Sequence, residues 1–142
     1  MKKITYLYII AILFVSLVTG CSSGNNKTEE PTDENSSSVY EKITAEEAKE
    51  IIDSDKDFII LDVRTEEEYN SGHIEGAILI PDTQILDKAE ELLQDKDLTL
   101  LIYCRSGRRS ALSAENLKDL GYTNIYDFGG ITDWPYDIVT DD

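Results

Sequence analysis

Cys104-Arg105-Ser106-Gly107-Arg108-Arg109-Ser110 brings a thiol, three guanidinium groups and a glycine together within one short stretch. A cysteine is a nucleophile only as its thiolate, and nearby cations or helix N-terminal N–H groups favour that form. The same groups attract anions. The segment therefore reads as a substrate- or anion-binding loop, Arg105, Ser106, Gly107, Arg108, Arg109 and Ser110, with Cys104 as the nucleophile in it. The competing reading is a buried cysteine acting as a small apolar filler. Three arginines and Gly107 beside it count against that.

Such a loop needs elements to hold it. Residues 98–103 are an apolar run suited to a buried strand, and residues 111–120 read as the helix that follows. Upstream, Thr44 with Glu47 three residues on makes a capping box, and Thr65 opens a second helical turn that Gly72 closes. Residues 58–63 and 77–80 are short strand candidates, the second stopped by Pro81. Residues 85–93 place Ile85, Leu86, Ala89, Leu92 and Leu93 on one helical face. Gly121 follows Leu120 as a C′ residue, and residues 125–128 form the last strand, ended by Gly129-Gly130. This alternation predicts an α/β fold with a mainly parallel central sheet flanked by helices. Ligands of such sheets sit outside the carboxyl ends of the strands. Cys104 lies at one such end, and Asp62, with Arg64 two residues on, lies at another. Nothing in the sequence makes these two ends neighbours.

At 142 residues there is room for one domain, and no internal repeat is present. Residues 1–20 read as a signal peptide: Lys2 and Lys3, then an apolar run too short for a comfortable membrane span. Val18-Thr19-Gly20-Cys21 resembles the lipobox of bacterial lipoproteins, in which cleavage precedes an acylated cysteine. Residues 21–38 then comprise lipidated Cys21 and a polar tether without large apolar side chains. The domain is expected over 39–142, extracytoplasmic and lipid-anchored to the membrane of a bacterium. The chain has 13 basic and 29 acidic residues, and cleavage removes two lysines and no acid. That balance argues against nucleic acid as a partner. If Cys21 carries lipid, Cys104 is a lone thiol, which in an exported protein is a candidate reactive group.

Three segments together resemble one family, the rhodanese-like domain. The first is Leu61-Asp62-Val63-Arg64, then Glu68-Tyr69, then Gly72-His73-Ile74-Glu75-Gly76-Ala77 and Pro81. The second is the Cys104–Ser110 loop. The third is Gly129-Gly130-Ile131-Thr132-Asp133-Trp134. Order and spacing agree over residues 39–139. The resemblance implies a sulfurtransferase in which Cys104 takes a sulfane sulfur from a small anion such as thiosulfate, forms a persulfide, and passes the sulfur to a thiol or to cyanide. Arg109 matches the family's loop arginine. Arg105 stands where thiosulfate-using members often carry a basic residue, and Arg108 has no assigned counterpart. Asp62 and Arg64 are implied to support the loop by hydrogen bonds and ion pairs, His73 to be structural, and Trp134 to pack near the C-terminus.

No metal or other cofactor is expected, since one histidine and two separated cysteines do not make a usual ligand set. A monomer is the default. Two other function classes remain open. A cysteine phosphatase or arsenate reductase would use a similar loop, but four residues separate Cys104 from Arg109 here, against five in phosphatase loops. A non-enzymatic persulfide carrier or partner-binding module would need no rapid turnover.

Overall fold

The computed structural model describes residues 39–140. The expected signal peptide, Cys21 and the tether lie outside the described residues, as do residues 141–142. Nine elements follow in order: β1 (Val39–Lys42), α1 (Ala45–Ile52), β2 (Phe58–Asp62), α2 (Glu66–Asn70), β3 (Ile78–Leu79), α3 (Ile85–Leu92), β4 (Thr99–Cys104), α4 (Arg108–Asp119) and β5 (Asn124–Gly130). Short 3-10 turns occupy Asp82–Gln84 and Ile131–Asp133. The strands form one sheet in the order β1-β5-β4-β2-β3, and every pairing is parallel. The α/β expectation holds.

The two capping boxes form as their spacing predicts. Thr44 accepts from the Glu47 N–H while Glu47 accepts from the Thr44 N–H, and Thr65 and Glu68 do the same for α2. Alternate residues of β4 point to opposite faces of the sheet. Leu100, Ile102 and Cys104 join α3 and α4, whereas Leu101 and Tyr103 join α1, Phe128 and Trp134. Two cores thus sandwich the sheet.

Three details differ from the sequence reading. Strand β1 was not anticipated; it is a short edge strand paired only with β5, and its polar Glu41 and Lys42 leave no apolar run to read. In α3, Ile85 and Ala89 are buried but Leu86 and Leu92 are exposed. Leu86 is a hundred degrees round the helix from Ile85. The helix stops at Leu92, and Leu93 reaches the core from a non-helical backbone (φ −118°, ψ 70°). Helix α4 begins at Arg108, three residues before the expected start, so Arg108, Arg109 and Ser110 are its first turn rather than loop.

The strand order places the site. From β2 the chain moves outward to β3, returns to β4 on the other side of β2, and then continues to β5. The direction of winding reverses between β2 and β4, and a crevice opens beyond the carboxyl ends at such a point. Asp62 pairs in register with Tyr103, so the ends of β2 and β4 are adjacent.

Candidate active site

Strand β4 ends at Cys104, and only Arg105, Ser106 and Gly107 separate it from α4. Gly107 makes the reversal at φ +92°, a conformation that side-chain-bearing residues rarely adopt. The sulfur therefore sits at the N-terminus of a twelve-residue helix, where unpaired N–H groups converge. The Gly107 N–H donates to Cys104 Sγ at 3.1 Å. Burial pushes the Cys104 thiol up, but hydrogen bonds from the Ser110 N–H and hydroxyl and from the Ser106 and Gly107 N–H groups outweigh it, so Cys104 titrates below an ordinary thiol. Cys104 is only 1% exposed, so the sulfur lies at the foot of this cradle.

The three arginines separate. Arg109 makes a two-pronged ion pair with Glu68, Nη1 to Oε2 at 2.7 Å and Nη2 to Oε1 at 2.8 Å. Glu68 is also the capping-box residue of α2, so one carboxylate ties the start of α2 to the first turn of α4. Arg109 is still close enough to Cys104 to feel its charge. Arg105 and Arg108 are exposed and make no ion pair among the described residues. They supply the open positive charge at the mouth of an acidic domain. The role of Glu68 was not read from the sequence, because its partner is 41 residues away.

Hydrogen bonds to Arg109 hold the Glu68 carboxyl down to about 2, against the opposing effect of burial. A folded-state value below the unfolded one adds stability that is present above about pH 4.3, the unfolded range, and lost as pH falls through about 2. Glu68→Gln is expected to cost about 1 kcal/mol at neutral pH, discounted for partial solvent screening. Urea unfolding should show the gap to wild type closing below about pH 4; a gap independent of pH would sink this account.

Asp62 and Arg64 lie on the α1 face of the sheet, opposite to Cys104. Arg64 Nη2 donates to Asp62 Oδ2 at 2.6 Å and to the Gly72 carbonyl at 2.8 Å. The Arg64 N–H also donates to Asp62 Oδ1. The Tyr103 hydroxyl accepts the Ile74 N–H at 3.2 Å, and burial, with the charge of Asp62 beside it, pushes its titration up. These bonds fasten the turn at Gly72–Ile74 to the sheet. They bear on the loop only through Tyr103, the residue before Cys104. His73 stacks on Tyr69 with ring centroids 3.7 Å apart, and its backbone bridges Val139. Trp134 packs against Phe128 and Tyr136. A cavity of about 510 Å³ beside Trp134, Ile74 and Lys49 belongs to this α1 face and not to the cysteine cradle.

The third wall of the site comes from the end of β5. The register between β4 and β5 slips between Ile102 and Cys104, with Gly129 at φ +86° and its N–H donating to the buried Asp127 carboxylate. This bulge brings Gly130 under the loop: a Cβ there would lie 2.5 Å from the Arg105 carbonyl oxygen and 2.7 Å from Ser106 Cα. Both contacts are backbone, so the loop itself would have to move. Gly130→Ala is expected to lower activity on the order of a hundred-fold with the sheet intact, as an ångström-scale misplacement does. Near-normal kcat/KM in a folded Gly130→Ala protein would show that the loop tolerates displacement.

The arrangement is a buried cysteine of lowered proton affinity at a helix N-terminus, with two exposed arginines in the loop and first turn beside it. A family model described as a rhodanese-like domain matches residues 44–136. The chain is 38% identical over 109 residues to a putative sulfur carrier protein, YrkF, of Bacillus subtilis (strain 168), covering 76% of this chain and 57% of that protein. It is 37% identical over 73 residues to thiosulfate sulfurtransferase PspE of Escherichia coli (strain K12), covering 51% and 70%. The match thus spans little more than half of the carrier protein's length. Among solved structures, a rhodanese with anions from E. coli is 34% identical with a TM-score of 0.55, covering 58% of this chain and 98% of that one. A rhodanese-like domain protein from Staphylococcus aureus is 31% identical with a TM-score of 0.63, covering 72% and 100%.

Proposed function

The chain belongs to the rhodanese-like domain family, and from that premise we propose that it is a sulfurtransferase in which Cys104 carries the transferred sulfur as a persulfide. Sulfur transfer in general follows from the family and from relatives named as a sulfur carrier and as a thiosulfate sulfurtransferase. The observation that carries the finer reading is the cradle: the Gly107 N–H donates to Cys104 Sγ at 3.1 Å, and Ser106 and Ser110 beside it help lower the proton affinity of that sulfur.

The reaction divides into two displacements. The Cys104 thiolate attacks the terminal sulfur of a donor such as thiosulfate. The bond from that sulfur to the sulfite group breaks, and sulfite leaves with the electron pair. The product on the protein is a persulfide anion, so the charge stays in the cradle. A thiol, or cyanide in an assay, then attacks the outer sulfur and Cys104 leaves as the thiolate. The hydrogen bonds around Cys104 lower its affinity for the proton, which favours the thiolate without a separate general base. Arg105 and Arg108 draw the anionic donor to the mouth. Arg109, held by Glu68, keeps positive charge beside the sulfur.

The test is the intact mass of the full-length protein before and after thiosulfate. A gain of one sulfur atom, reversed by cyanide with release of thiocyanate, supports the cycle. No gain on a protein whose Cys104 is shown to be reduced would overturn thiosulfate as donor. A carrier that holds the persulfide for a partner protein uses the same cradle, and similarity to a putative sulfur carrier favours it as the second reading. It would charge once and release sulfur slowly to cyanide. Phosphate esters are not expected to turn over, since the donors converge on a single atom.

The leader reading goes with this function: cleavage before Cys21, acylation there, and a monomeric domain tethered outside the cytoplasmic membrane. Mass spectrometry of the N-terminal peptide from bacterial membranes decides it. A diacylated or triacylated Cys21 at the N-terminus supports it, and a chain still beginning at Met1 would exclude it.

A further inference from the structure

We propose that Thr132 is a positioning residue for the thiolate: by gripping the Arg105 carbonyl, it keeps the opposite end of the same peptide unit aimed at Cys104 Sγ. The Arg105 carbonyl oxygen accepts from Thr132 Oγ1 at 3.0 Å and from the Thr132 N–H at 3.3 Å. In a trans peptide the C=O and N–H point in opposite directions, and no cis bond is present among the described residues. The N–H opposite that oxygen belongs to Ser106, next in the loop to the Gly107 N–H that donates to Cys104 Sγ at 3.1 Å, and it is among the groups that lower the proton affinity of the sulfur. Holding the oxygen outward therefore holds the N–H inward.

The loop needs such a hold. Arg105 and Ser106 are exposed, and Gly107 beside them is the residue freest to change its backbone angles. Rotating the Arg105–Ser106 peptide by half a turn would exchange an N–H for a carbonyl oxygen facing the sulfur. A thiolate is stabilised by the first and repelled by the second. Gly130 supports the peptide from below, where even a Cβ would collide with it, but steric support on one side does not select which way the plane faces. Thr132 does, through two hydrogen bonds to one oxygen. It acts 27 residues away in sequence and reaches the sulfur only through the peptide.

This inference rests on Cys104 as the reactive thiol but not on sulfur as the group transferred. The pH dependence of iodoacetamide alkylation, measured on the full-length chain and read by mass spectrometry on the peptide holding Cys104, tests it without interference from Cys21. Thr132→Val keeps the side-chain shape and removes the hydroxyl, and Thr132→Ala removes both. Both midpoints are expected to rise by about half a pH unit, with melting temperatures close to wild type. Thr132→Ser is expected to restore the wild-type midpoint. An unshifted midpoint in Thr132→Val and Thr132→Ala, or a serine variant that stays shifted, would overturn the proposal. A shifted midpoint in a protein that transfers no sulfur would leave it standing and sink the functional reading instead.

Discussion

Cys104→Ser is expected to remove persulfide formation completely and to lower thiosulfate–cyanide turnover by on the order of a thousand-fold or more. The cradle lowers the affinity of Cys104 for its proton, but a serine hydroxyl starts so far above neutral pH that the same hydrogen bonds cannot ionise it. Oxygen also cannot take the place of sulfur in a persulfide. The fold should survive, because the exchange is close in volume and the Gly107 and Ser110 donors that face the sulfur would satisfy the new oxygen. A thermal melt within a few degrees of wild type, beside lost activity, is the expected pair of results. Thiocyanate release at the wild-type rate from the serine variant would remove Cys104 from the mechanism.

Asp62→Ala should have the largest effect on stability. Asp62 is fully buried, and the Arg64 guanidinium that pairs with it is 5% exposed as a residue. Removing the carboxylate strands that cation and leaves the Arg64 N–H without its acceptor. Breaking one side of a buried pair costs about 3–5 kcal/mol, a large part of the stability of a small domain. Urea unfolding measures it directly. Asp62→Leu combined with Arg64→Met should recover much of the loss, since burying two apolar side chains avoids the unpaired charge. A single variant as stable as wild type would mean that Arg64 finds solvent without cost.

Much of this was legible in the sequence because it is local. Both capping boxes depend on residues three apart, and Thr44–Glu47 and Thr65–Glu68 form as written. The apolar run before Cys104 becomes β4, and Gly107 takes the positive φ its position requires. The start of α4 was misplaced because Arg108-Arg109-Ser110 carries no apolar periodicity and the cap before it is a glycine rather than an oxygen-bearing side chain. Long-range partners left no local trace. Glu68 with Arg109, Thr132 with Arg105, and Gly130 beneath the loop each join segments at least 24 residues apart. The face on which Asp62 lies depends on strand register, which the sequence pattern does not specify for a run buried on both sides.

A sulfur at the foot of a narrow cradle, 1% exposed, discriminates among sulfur compounds by shape. Displacement at sulfur requires the nucleophile to approach in line with the bond that breaks. The terminal sulfur of thiosulfate has nothing attached on its outer side and can be presented point-first. Either sulfur of an organic disulfide is flanked by carbon and needs more room beside Ser106, Gly107 and the first turn of α4 than a terminal sulfur does. The site is therefore expected to take sulfur that ends a molecule more readily than sulfur that lies within one, and its thiol to resist mixed disulfides.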